Sequence, residues 1–173
     1  MIKPYLRFRE DVVVFQKRYL SEICSDKCFR NQASACCNRE GIAAFFADVA
    51  INALCSKEND LDVIEHVLSY DSGGFKCVFL ASQGCLWRLK PIVCEMFLCD
   101  HAKGALKKRG ESLIHQWNHL RERERQFTWP DRPVLFDELE KIFIHAGFDS
   151  PIMYYHKGPG LLMIKAKSKK AEM

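Results

Sequence analysis

Cys24-Ser25-Asp26-Lys27-Cys28-Phe29-Arg30-Asn31-Gln32-Ala33-Ser34-Ala35-Cys36-Cys37 sets how this chain is read. Four thiols crowd one short run. A second group follows downstream as Cys77, Cys85, Cys94 and Cys99. Of nine cysteines in 173 residues, Cys55 alone stands outside the two groups. Two thiol-rich segments far apart in the chain read as two halves of one site. A thiolate is a soft ligand suited to zinc, copper(I) and iron–sulfur centres. Four thiolates complete a tetrahedral zinc site or hold one cluster. The expected metal-ligating residues are therefore Cys24, Cys28, Cys36, Cys37, Cys77, Cys85, Cys94 and Cys99. They allow two four-thiolate sites, one site with spare thiols, or a cluster with redox cysteines beside it. Free packed thiols and disulfides are the competing readings. Neighbouring side chains of an extended strand point oppositely, so Cys36 and Cys37 reach one centre only over a bent backbone; otherwise they serve two. Cys55, inside an apolar run, reads as a core residue.

The rest of the composition is ordinary. Hydrophobic residues make up 48% and charged residues 28% of the chain, a globular mixture able to bury a core without crosslinks. Lys and Arg number 26 against 22 Asp and Glu, a net charge of +4, too mild to indicate nucleic acid. Lys107-Lys108-Arg109 and Arg121, Arg123 and Arg125 are interrupted by Glu111, Glu122 and Glu124, so a solvated helix face is expected there. No apolar run is long enough for a membrane span, and the first residues lack the apolar core of a signal peptide. The expected compartment is a reducing cytoplasm. The pattern is compatible with a protein partner and offers nothing to a membrane.

Apolar periodicity predicts helices over 7–23, 42–56, 60–69, 102–126 and 134–146. In the first, Val12-Val13-Val14 makes a strand the rival reading. Residues 29–35 read as an irregular loop, with Gly41 turning the chain after Cys37. Asp71-Ser72-Gly73-Gly74 breaks the chain before a short strand or arm at 75–80. Ser82-Gln83-Gly84 turns it, and Pro91 opens a short helix carrying Cys94. Met153–Tyr155 and Leu161–Ile164 flank Lys157-Gly158-Pro159-Gly160 as a terminal hairpin. The expected fold class is α+β: one mainly helical domain over 1–166 with irregular cysteine-rich metal-binding loops and a small C-terminal β-hairpin. Its motif core spans 24–99, and a basic tail covers 167–173.

Cys36-Cys37, Phe75-Lys76-Cys77-Val78-Phe79-Leu80 and Gly84-Cys85-Leu86-Trp87-Arg88-Leu89-Lys90-Pro91-Ile92-Val93-Cys94 together resemble the cysteine-rich zinc- or iron-chelating (CxxCxxCC-type) protein family. That family has close cysteines ending in an adjacent pair, then an Arg-Pro-x-x-Cys segment. Here Lys90-Pro91 stands for Arg-Pro, and wider gaps separate Cys24, Cys28 and Cys36. The resemblance implies zinc or an iron–sulfur cluster, with no secure reaction. A redox or metal-dependent enzyme acting on protein side chains is the alternative.

Other polar residues bear on the site. His115 and His119 lack an acidic residue between them and read as ordinary helix histidines; His101 is the reserve ligand. Glu95 and Asp100 read as solvated or as supports of the ligands. Asp48 and Asn52 share a face of an apolar helix and, once buried, need partners.

Overall fold

The computed structural model describes residues 1–31, 33–34, 36–38, 44–69, 74–128 and 134–153. Its first helix, α1 (Lys3–Tyr19), begins with Pro4 in the first turn, where the missing N–H costs no hydrogen bond. Tyr5, Phe8, Val12 and Phe15 recur at helical spacing and are all buried. That stripe overrides the strand preference of the valine triplet: Val12 faces the core while Val14 stays 62% exposed. The α1 face meets aromatic rings on two later helices, α6 (Glu111–Thr128) and α7 (Leu135–His145). Tyr5 lies edge-on to Phe136 at 5.6 Å, and Phe15 packs on Trp117 at 5.4 Å. Each such buried ring contributes about 1.5–3 kcal/mol relative to exposure.

A turn after α1, the backbone widens into a π-helix over Glu22–Phe29. Arg30 N–H bonds to the Ser25 carbonyl (2.9 Å) and Ala33 N–H to that of Cys28 (3.0 Å), both five residues back. π-Turns are rare and are frequently found at functional sites. The loop predicted from residue 29 thus begins after a helical segment that already carries Cys24 and Cys28.

Helix α2 (Phe46–Cys55) is shorter at its start than predicted, and α3 (Glu58–Leu68) starts earlier. Both are opened by an aspartate three residues into the helix that accepts from the backbone N–H just before it: Asp48 from Phe45 (3.0 Å) and Asp60 from Lys57 (3.2 Å). Strands β1 (Leu80–Ala81) and β2 (Gly84–Cys85) pair antiparallel around Ser82–Gln83, the turn expected there. Helix α4 (Ile92–Glu95) follows Pro91 and carries Cys94, as predicted.

The long helix predicted over 102–126 is two helices, α5 (Asp100–Arg109) and α6. Gly110, at φ 137°, turns the chain between them. Leu106, Leu113, Trp117 and Leu120 are nonetheless all buried, so the predicted apolar face survives the break. Helix α7 ends at His145, and Gly147, at φ 83°, turns the chain away just beyond it, the stop its sequence suggested.

The α+β expectation is corrected. Two-residue strands make no sheet layer; the described residues form a mainly helical domain with a small antiparallel hairpin at 80–85. No cysteine-rich metal-binding loop is formed among the described residues. The terminal hairpin predicted around 157–160, the turn at Gly41 and the tail at 167–173 lie outside the described residues. No helix among the described residues is long and apolar enough to cross a membrane.

Candidate thiol centre

The first thiol segment leaves the π-helix through Ser34, a buried residue at φ 35°. Left-handed backbone is uncommon for a residue with a Cβ. Cys37 N–H closes the turn onto the Ser34 carbonyl at 2.9 Å. Lys76 donates from its ammonium to the Ala33 and Ser34 carbonyls, clamping this turn to the second thiol segment.

The two segments then pair directly. Asn38 and Lys76 form an antiparallel bridge, and Cys77 N–H donates to the Cys37 carbonyl at 3.0 Å. In this register Cys37 stands opposite Cys77. A turn from Cys77 to Leu80 (3.0 Å) leads into the hairpin, where Cys85 faces Leu80. Backbone hydrogen bonds therefore bring Cys37, Cys77 and Cys85 into one neighbourhood.

The segment between hairpin and α4 is fastened to the helical core. Asn52 accepts from Leu89 N–H (2.9 Å) and Asp48 from Ile92 N–H (2.9 Å). These two buried side chains have the partners their burial required, and the partners are structural. Arg9, 2% exposed, donates to the Tyr5 hydroxyl (2.8 Å) and the Lys90 carbonyl (2.6 Å) and lies 3.5 Å from the Glu95 carboxylate. Gln16 donates to the Glu95 carbonyl at 2.5 Å. Lys90 is thus presented at a fixed position.

The side chains regroup the sequence's two clusters. Cys24 lies within electrostatic reach of Cys28, Cys36 and Cys99; Cys37 lies within reach of Cys77 and Cys85. The adjacent Cys36 and Cys37 join the two sets, the Cys36 thiol donating a hydrogen bond to the Cys37 sulfur. That bond pushes the Cys36 thiol up and, as the largest influence on Cys37, holds the Cys37 thiol below its usual value. Loss of solvent pushes the Cys24, Cys77 and Cys85 thiols up. The Lys90 ammonium opposes this at Cys24, Cys36 and Cys85 and reinforces the low value of Cys37. Cys99 is engaged elsewhere, since its sulfur caps α5 by accepting from Ala102 N–H at 3.5 Å. Cys94 lies on α4 with an exposed side chain, and Cys55 packs against the core as expected.

Among the described residues, no group of three or more Cys, His, Asp or Glu could hold a metal ion. The expectation of zinc or an iron–sulfur cluster is overturned, and the metal-dependent enzyme falls with it. The physical reason lies in position. Cys94 lies exposed on α4, the Cys99 sulfur is turned to the first turn of α5, and among the described residues no three of the remaining sulfurs close on one point. His101, His115 and His119 are exposed. The last two line a groove of about 490 Å³ between α1 and α6 whose lining includes no cysteine. Asp100 is exposed and pairs with Lys103 at 3.4 Å, while Glu95 is buried rather than solvated.

The chain matches no family model, no curated protein and no solved structure. The resemblance to the cysteine-rich chelating family is therefore corrected too: its cysteine order is present without the chelating geometry.

Sequence reasoning missed Arg9, Ser34 and Lys90 as builders of the site. Arg9 carried a readable signal: it is a cation one turn from Tyr5 on the apolar stripe of α1. Lys90 stood out only as a departure from Arg-Pro. Nothing in the sequence marked Ser34.

Proposed function

We propose that the chain is a metal-independent thiol module that undergoes dithiol–disulfide exchange, with Cys37 and Cys77 as the exchanging pair. The observation that carries this reading is the antiparallel register placing Cys37 opposite Cys77. Opposed Cα atoms of an antiparallel pair lie about 4.5–5.5 Å apart. That lies within the roughly 4.4–6.8 Å span of a disulfide. The protonation pattern supports it, because the thiolate is the nucleophile and Cys37 is the thiol held low.

The chemistry balances with a small-molecule or protein disulfide as oxidant. The Cys37 thiolate attacks one sulfur, a mixed disulfide forms, and the other sulfur leaves as thiolate. Cys77 loses its proton to solvent and attacks the Cys37 sulfur. The second thiolate leaves, giving a Cys37–Cys77 disulfide and a substrate reduced by two electrons. Cys85 stands beside this pair as an alternative resolving thiol. The resting dithiol suits a reducing compartment such as the cytoplasm.

The test is to purify the full chain anaerobically, measure bound metal, and expose it to a graded glutathione redox buffer. Peptide mapping under non-reducing conditions then reads the linkage. Cys37–Cys77 should be the first disulfide to form, and Cys37→Ser should abolish it. Scattered oxidation, or stoichiometric metal protecting the thiols from alkylation, would overturn the proposal.

A further inference from the structure

The side chain that ties the two thiol segments together belongs to the residue just before Cys77. Lys76 is exposed, yet its ammonium turns back onto the chain: it donates to the Ala33 carbonyl and reaches the Ser34 carbonyl at 3.5 Å. Both acceptors lie where the π-helix gives out. Ala33 N–H and Ser34 N–H donate to the Cys28 carbonyl at 3.0 and 3.3 Å. Carbonyls past such an end lack partners within the helix, and the negative end of the helix dipole favours a cation there. Here the cation comes from the downstream thiol segment.

The clamp bears on the register of the dithiol. The Ser34 carbonyl that Lys76 reaches also accepts from Cys37 N–H at 2.9 Å, and the Cys37 carbonyl accepts from Cys77 N–H at 3.0 Å. Lys76 is itself bridged to Asn38. A closed circuit therefore runs from the Lys76 ammonium through Ser34 and Cys37 to Cys77, and back along one peptide bond. Ser34 is its weak point. It is held at φ 35°, a left-handed conformation that a residue with a Cβ leaves for the ordinary side once its contacts are lost. Such a change would re-aim the turn that ends at Cys37.

We infer that Lys76 is a positioning residue of the exchanging pair: by pinning the Ala33 and Ser34 carbonyls it keeps Cys37 facing Cys77, and so sets how fast a mixed disulfide at Cys37 is resolved. This rests on the exchange reading above and concerns its second step. In the first, the Cys37 thiolate attacks a disulfide such as oxidised glutathione, and one glutathione leaves as thiolate. That step needs only an accessible sulfur. In the second, Cys77 loses its proton to solvent and attacks the Cys37 sulfur, and the other glutathione leaves as thiolate. An intramolecular step of this kind gains its rate from orientation and loses it when the groups are free to move apart.

The experiment mixes the reduced full chain with oxidised glutathione, quenches with acid at intervals, and reads free, glutathionylated and disulfide-closed Cys37 by peptide mass spectrometry. Lys76→Met keeps the stem and removes the donor. Its first step should match wild type. Its closure should slow about fivefold or more, the size of one net hydrogen bond to a charged group, so the mixed disulfide accumulates at Cys37. Lys76→Arg keeps a cation with donors for both carbonyls and should close nearly as fast as wild type. Gly110→Ala strains the α5–α6 turn instead, controls for a general loss of stability, and should close at the wild-type rate. Closure of Lys76→Met at the wild-type rate, equal slowing in Gly110→Ala, or an Arg variant as slow as Met would each overturn the positioning role while leaving the exchange reading in place. A wild-type chain that forms no Cys37–Cys77 disulfide is the separate outcome: there the exchange reading fails and takes this inference with it.

Discussion

Replacing Asp48 with alanine should be among the costliest polar substitutions in this chain. Its carboxylate accepts from Ile92 N–H at 2.9 Å and from Phe45 N–H at 3.0 Å while only 3% exposed. Hydrogen bonds to a charged acceptor contribute about 1.5–3 kcal/mol each. Ile92 is fully buried, so its N–H would be left without water or acceptor, an outcome costing about 1–3 kcal/mol. These contributions overlap, and a total loss of about 3–5 kcal/mol is expected. Against a domain stability of about 5–15 kcal/mol, that is a large share. Asp48→Asn is the informative control. Its amide has one acceptor oxygen, so one of the two N–H groups faces another donor, and about half the loss is expected. Urea unfolding followed by far-UV circular dichroism measures both, with the m-value checking that the transition is unchanged in kind. A loss below about 1 kcal/mol for Asp48→Ala would refute the claim that this carboxylate fastens the 89–95 segment to α2. Equal losses for Ala and Asn would show that charge, not acceptor number, was decisive.

Two further outcomes are expected beside the disulfide-mapping result already described. Gly110→Ala should destabilise the fold by about 1–3 kcal/mol through backbone strain alone, since φ is 137° and nothing lies within 4 Å of the added methyl. A thermal melt equal to wild type would refute that account of the α5–α6 break. Stability should also fall as pH rises above about 8.5, where the thiols of the unfolded chain begin to ionise. Cys24, Cys36, Cys77 and Cys85 have raised values in the folded chain, so the folded state keeps protons that the unfolded state releases; the lowered Cys37 works against this. Urea midpoints at pH 7.5 and 9.5 under reducing conditions test the sign, and a higher midpoint at alkaline pH would contradict it.

The helical framework was legible in the chain because amphipathic spacing is a local property. The stripe Tyr5, Phe8, Val12 and Phe15, and the series Leu106, Leu113, Trp117 and Leu120, face the core as their spacing requires. Gly147 and Pro91 marked boundaries because each restricts or frees the backbone at its own position. Gly110 gives no such mark, because glycine inside a charged helical pattern is tolerated until its φ is known.

The thiol positions were equally visible, yet their chemistry was not. Sequence spacing determines which sulfurs share a segment, and here it divided them into an upstream and a downstream group. Only the tertiary structure set Cys37 opposite Cys77 through a backbone bridge and gave the Cys99 sulfur to a helix end. Those outcomes depend on hydrogen bonds between distant segments and on how much water each sulfur loses. Neither is a property of neighbours along the chain, so order and spacing supplied the reactive groups and the fold chose their partners.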